Sequence, residues 1–190
     1  MSVAKRVHEK FVADGTVQFR FDDDIDQLER ILLRPSLTYL FDDKQSFTLG
    51  YDAHFVEAPR SRVEQRLWQQ YHVNHRFSTL TGSLRLRLEE RFIDHVDGVA
   101  VRLRIKSGVK LPFAQTPWFF TLSNEAFVGF NEIRGGQRDG VHENRANGWF
   151  GHVLGVGMVG QIVYQNQFFD NRANDRMLHQ LFISLSMKLP

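Results

Sequence analysis

The 190-residue sequence has no cysteine, so disulfides and thiolate metal sites are ruled out. No apolar run approaches the roughly 18 residues of a membrane-spanning helix. The opening MSVAKRVHEK lacks the apolar core of a secretory signal. Two readings of it stay open: a cytosolic protein, or one whose signal has been replaced by an initiating Met. Lysine is scarce, six residues against 18 arginines, although the formal net charge is only +2. Arginine is the cation preferred for paired and buried positions, because its planar fork matches a carboxylate and it is less strongly hydrated than an ammonium. A glycine-rich phosphate loop is missing, as is any convincing helical period.

What is present is alternation. From Gly82 to Leu111 the sequence reads as a hairpin. Leu84, Leu86 and Leu88 oppose Arg85, Arg87, Glu89 and Arg91, while Val99, Val101, Leu103 and Ile105 oppose Arg102, Arg104 and Lys106. Side chains of a strand point alternately to its two faces, so each half has one apolar and one ionic face. Asp94 to Gly98 supplies the turn. The same period predicts strands over Val7–Phe21, Glu29–Phe41, Phe47–Glu57, Glu64–Phe77, Trp118–Phe130, Asn144–Leu154, Met158–Gln167 and Met177–Leu189. Pro35 interrupts one of them and removes a ladder donor there. Seventeen phenylalanines suit such strands. Tight turns and longer loops alternate along the chain. The expectation is one all-β domain over residues 1–190, an up-and-down antiparallel transmembrane β-barrel of about ten strands.

Alternation alone fits two solvents. A soluble lipocalin-like barrel would bury the apolar face around an apolar small molecule; an outer-membrane barrel would turn it to lipid. Most of the predicted strands run 11–14 residues, longer than the modal five to six and long enough for a tilted bilayer crossing. Aromatics gather near strand ends (Phe19 and Phe21, Phe47 and Phe55, Trp118 and Phe130), as interfacial girdles do. These features favour the membrane. Against them stand Gln65, Gln69 and Asn124 on the apolar face, which in a bilayer should lie near the interface or at an irregularity.

The series LRLRLEERF, VRLRIKSGVKLP and NEAFVGFN resembles an uncharacterised outer-membrane β-barrel family, catalogued as a domain of unknown function. Glu143-Asn-Arg145, Tyr164-Gln165 and His179 before the last strand are similar to its C-terminal half. The resemblance spans about residues 45–189. It implies a precursor inserted into the outer membrane of a Gram-negative bacterium, and it carries over no activity. Such chains usually finish on an aromatic residue. This one ends Lys188-Leu189-Pro190, which suggests an altered terminus.

With the polar face inward, the candidate site is a lumen network of Glu64, Arg66, Arg85, Arg87, Glu89, Arg91, Arg102, Arg104, Glu125 and Arg145. Arg76 and Lys106 share that face. The structural reading is a set of Arg–carboxylate pairs bracing the wall; the functional one is a narrow passage for a small anionic solute. No catalytic residue is assigned. Outer-membrane lipid hydrolases place a His two residues before a nucleophilic Ser, and no His-x-Ser occurs here, so a lipid-modifying enzyme is the weaker alternative. Asp52 and His54 share a face, an arrangement more often structural than catalytic. His72 and His75 face opposite sides and cannot share a metal. The acidic run Asp22–Asp26 reads as a solvated loop rather than a calcium site. No metal or cofactor is expected. Basic residues interleave with aliphatics and acids rather than forming a patch, which argues against nucleic acid. The expected partner is the bilayer, and the expected state a monomer.

Overall fold

The computed structural model describes residues 1–22, 27–57, 61–134, 137–170 and 174–189, excluding the side chains of Asp22 and Gln27. Eleven strands follow in order: β1 (Ser2–His8), β2 (Phe11–Asp22), β3 (Gln27–Leu40), β4 (Gln45–Val56), β5 (Arg62–Phe77), β6 (Leu80–Ile93), β7 (Ala100–Pro112), β8 (Trp118–Gly129), β9 (Gly140–Gly155), β10 (Met158–Phe169) and β11 (Arg176–Leu189). Each pairs antiparallel with its neighbours in sequence, and β1 closes the barrel by pairing with β11. That closing pair is parallel, with Ser2 to Lys5 matched to Ser186 to Leu189. An odd number of up-and-down strands requires this, since the first and last run the same way.

The fold is the all-β barrel expected from the alternation, with one strand more. The predicted first strand over Val7–Phe21 is in fact a turn and a hairpin, β1 reversing at Glu9 and Lys10 into β2. Ser2 to His8 mixes polar and apolar residues on both faces, so β1 has no period of two to reveal it. β9 also begins earlier than expected, at Gly140 instead of Asn144, which brings Glu143 into the wall. Pro35 interrupts pairing as its missing N–H requires. Towards β4 the register matches Leu33 with Ala53 and Ser36 with Gly50 with no pair between them, while towards β2 Pro35 stays level with Gly15.

One rim has short connections: Glu9–Lys10, 41–44, 78–79, 113–117 and 156–157. The opposite rim carries 94–99 and 130–139. The loops read over Asp22–Asp26, Ala58–Arg62 and Asp170–Asp175 lie partly or wholly outside the described residues. So does the Gly135-Gly136 pair. The two-residue turn 156–157 needs Gly157, whose φ is +74 and whose added Cβ would meet the Lys188 carbonyl oxygen at 2.4 Å.

The polarity of the wall is inverted relative to a soluble barrel. Leu33, Leu37, Leu49, Leu67, Leu84, Leu86, Ile105, Leu122, Ile162 and Ile183 lie on the outer face and are exposed. Trp68, Arg87, Glu89, Arg102, Arg104, Glu125 and Phe127 lie on the inner face and are buried. Aromatics edge the outer face. Near the short-turn rim, Tyr39 meets both Phe11 and Phe41 edge-on at 5.2 Å, and Trp118 stacks on Phe150 at 4.9 Å. Near the other rim, Phe19, Phe21, Phe55, Phe92 and Phe130 are exposed. Phe47 and Phe55 lie eight residues apart on β4. At about 3.3 Å per residue and a tilt of about 40°, that separates the two belts by roughly 20 Å.

Candidate functional site

The inner face of β3 to β9 carries a continuous ionic network. It follows from the strand phase: on each of these strands every second residue points inward, and antiparallel pairing aligns charges level with one another. Glu89 pairs in register with Arg102, and Arg87 with Arg104. Glu89, fully buried, accepts from Arg102 Nε at 2.7 Å and from Arg104 Nη1 at 2.7 Å, and Arg102 Nη2 lies in ion-pair contact at 2.7 Å. Arg87 and Arg66 approach it at 3.8 and 4.0 Å. Arg104 also donates to Glu125 at 2.8 Å, and Arg85 reaches the same carboxylate. One guanidinium thus bridges two buried acids.

A second group forms towards the longer rim. Glu64 accepts from Arg66 Nε at 2.7 Å and Arg91 Nε at 2.6 Å. Arg91 Nη1 in turn donates to Gln137 Oε1 at 3.3 Å, and the Gln137 amide donates to the Val101 carbonyl at 2.8 Å. The 130–139 connection is thereby tied into the barrel mouth. On β9, Arg145 donates to Glu143, which also accepts from Gln167 Nε2 at 2.6 Å. Phe127, fully buried, fills the centre with Arg102, Arg104 and Arg145 within 5.0 Å of its ring centroid. Cations over an aromatic face in a desolvated setting gain from the ring quadrupole.

All ten sequence-predicted residues are on the inner face. Glu64, Arg66, Arg87, Glu89, Arg102, Arg104 and Glu125 are buried, while Arg85, Arg91 and Arg145 are half-buried. Each takes part in at least one of the ion pairs above. Lys106 is inward too, its ammonium 4.5 Å from the Trp149 ring centroid. Arg76, by contrast, is exposed near the short-turn rim.

The sequence reading left out a third group. Asp52, fully buried, accepts a bidentate pair from Arg34 at 2.7 and 2.6 Å and a bond from Trp68 Nε1 at 2.7 Å. Gly50 makes room for this, since a Cβ there would fall 2.0 Å from the Trp68 ring. Arg87 lies 3.9 Å from the centroid of the same ring and donates to Gln70 at 2.9 and 2.6 Å. His54 does share the face of Asp52, at 3.5 Å. Asp52, Glu64, Glu89, Glu125 and Glu143 make five carboxylates. Arg34, Arg66, Arg85, Arg87, Arg91, Arg102, Arg104 and Arg145 make eight guanidiniums, a surplus of three positive charges.

Three pairs of polar groups on the outer face bond to each other, and Gln69, level with Leu49, is not among them. Tyr51 donates to Gln65 at 2.9 Å, Asn124 and Asn144 exchange amide bonds at 2.9 and 3.0 Å, and Tyr164 and His179 are 2.6 Å apart. Gln65 is near a strand end, but Asn124 is in the middle of β8. There a cross-strand partner, not position, meets its need.

An all-β barrel with apolar residues outside and a braced ionic interior is the class that fold and site define. Within it, the chain belongs to the family described as "Protein of unknown function (DUF2490)", whose model matches residues 1–178. The match reaches further towards the N-terminus than the sequence motifs alone suggested. No curated protein and no solved structure matches the chain.

Proposed function

We propose that this protein is an integral β-barrel of a bacterial outer membrane. It crosses the bilayer as a monomer and works without catalysis, its lumen held shut by the Arg–carboxylate network. One observation carries the reading. The outer face is a band of exposed aliphatics edged by aromatics, while the charges of the ionic network point inward; Glu90, level with Leu67 and Val101 near one end of β6, is a charge on the outer face. Such a band of exposed apolar area far exceeds what a soluble monomer presents to water, and its roughly 20 Å height is close to the roughly 25 Å apolar band of outer-membrane barrels. The paired polar groups outside suit the same solvent, because unpaired ones in hydrocarbon are costly.

The surplus of guanidiniums gives the lumen an anion-leaning potential, so any solute that enters is a small anion. In planar bilayers the expected current is at or near leak; a steady cation-selective conductance would overturn both the closure and the charge preference. The placement itself is tested with brominated lipids. Trp118 is exposed on the outer face, whereas Trp68 is buried in the lumen. Bromolipid should quench fluorescence in the folded protein, and Trp118→Phe should abolish most of that quenching. A chain that is monodisperse in buffer without detergent, with Trp118 unquenched, would reject the membrane reading in favour of a soluble barrel.

A further inference from the structure

The lumen differs between its two ends. Towards the longer rim the inner residues stay buried: Glu64 and Arg66 on β5, Glu89 and Ile93 on β6, Ala100 and Arg102 on β7. Towards the short-turn rim they emerge. Along β7, Arg104 is buried, Lys106 half-buried and Lys110 exposed, and Trp68, His72 and Arg76 repeat the series along β5. On β8 this end is covered instead by Phe119, which is buried, with Lys110 Nζ 3.7 Å from its ring centroid. A recess therefore opens from the short-turn rim along β5 to β7 and ends on the ionic network.

The recess is more cationic than the network neutralises. Register sets His72 opposite Arg85, Arg85 opposite Lys106, and Lys106 opposite Glu125. Like charges directly opposite on one face repel. Glu125 is shared between Arg104 and Arg85. Lys106 makes no ion pair among the described residues; its ammonium stands 4.5 Å from the Trp149 ring centroid. Asp14, the inward carboxylate of β2, accepts from Thr16. One step nearer the rim, Ser83, Gly108 and Ser123 are level with one another, and their small side chains leave room beside Arg85 and Lys106. Three buried groups here have no hydrogen-bond partner among the described residues: Arg85 Nε, Ser123 Oγ and Trp149 Nε1. All three can donate, and a buried donor left unpaired is costly. Surplus positive charge and unpaired donors together favour an anionic acceptor.

From this we infer that the recess is a binding site for a small tetrahedral oxyanion, inorganic phosphate or the phosphate end of a monoester, entered from the short-turn rim. Arg85 and Lys106 supply the charge, Ser123 and Trp149 the neutral donors. Donors on four successive strands, β6 to β9, approach a ligand from several directions, which suits oxygens set in more than one plane. A planar carboxylate is met best by the flat fork of a guanidinium, and the Arg85 fork is engaged by Glu125. The inference rests on the anion-leaning lumen proposed above but needs no current through the barrel, because the network closes the inner end of the recess.

Calorimetric titration of inorganic phosphate into the full-length protein in detergent micelles, at constant ionic strength, tests this. One saturable site is expected. Lys106→Met breaks no ion pair and should weaken binding about tenfold, and Ser123→Ala about threefold. Lys44→Gln, which removes an exposed lysine in the 41–44 turn at the same rim, should leave affinity within about twofold. Glycerol 3-phosphate binding tighter than inorganic phosphate would assign the site to a monoester, and the reverse order to the free ion; either supports the proposal. Acetate binding as tightly as phosphate, no saturable binding of either phosphate probe, or an equal loss in Lys44→Gln and Lys106→Met would overturn it. The same phosphate binding in a barrel that conducts, or that is soluble without detergent, would instead refute the closed membrane barrel and leave this site standing.

Discussion

Glu89→Gln separates a braced lumen from a merely polar one. The Glu89 carboxylate is fully buried and receives two short charge-assisted bonds, from Arg102 Nε and Arg104 Nη1, with Arg102 Nη2 in ion-pair contact and two further guanidiniums close by. Arg104 keeps Glu125 when Glu89 is neutralised, whereas Glu89 is the one carboxylate paired with Arg102 among the described residues. The variant thus strands a buried cation, a change that costs about 3–5 kcal/mol when one member of a buried pair is removed. The amide retains an acceptor for one bond but opposes its N–H groups to guanidinium donors, so the lower end of that range is expected. Urea titration of protein refolded in lipid vesicles, followed by tryptophan emission, measures it as a fall in midpoint at unchanged slope. Glu89→Met with Arg102→Met should recover much of the loss, since an apolar replacement of both partners leaves no orphan charge. Arg138–Asp170, a half-exposed pair at 3.5 Å, is the internal control; Asp170→Asn should cost less than about 1 kcal/mol. A Glu89→Gln protein unfolding within about 0.5 kcal/mol of wild type would refute the claim that ion pairing braces the lumen.

Three further outcomes are expected. Leu86→Arg places a cation on the outer face of β6 and should destabilise the barrel in vesicles by about 2–4 kcal/mol; folding yield and urea midpoint report it, and an unchanged midpoint would reverse the assigned polarity. Gly50→Ala pushes a methyl into the Trp68 ring and should cost about 1–3 kcal/mol, with a shift in tryptophan emission as the Trp68–Asp52 bond breaks. Asn124→Leu alone strands the Asn144 amide and should destabilise, whereas Asn124→Leu with Asn144→Leu should restore stability in vesicles to within about 1 kcal/mol of wild type; a double-mutant cycle gives the coupling.

How much of this the chain announces depends on how local the cause is. Period-two alternation marks Arg85, Arg87, Glu89, Arg102 and Arg104 as face-mates, and the Asp94–Gly98 turn residues between the two halves mark them as a hairpin. The Arg34–Asp52 pair obeys the same logic: a register centred on the 41–44 turn matches residues whose numbers sum to 86, as Leu33 and Ala53 do. Pro35 obscures the phase of that strand, so local pattern does not bring Arg34 to Asp52. Gln137 could not be read at all, since it enters the network from an irregular connection with no period. β1 was hidden for a different reason. Ser2 to His8 has no period of two, and its pairing with β11, at the other end of the sequence, leaves no trace in local pattern.

That remoteness bears on the order of assembly. Ten of the eleven pairings join strands adjacent in sequence and can zip one after another at small entropic expense. Joining Ser2 to Ser186 must instead draw together the ends of a curled sheet 184 residues long, and it gains only a short parallel ladder in return. On loop entropy alone, closing the circle is the costliest of the eleven pairings.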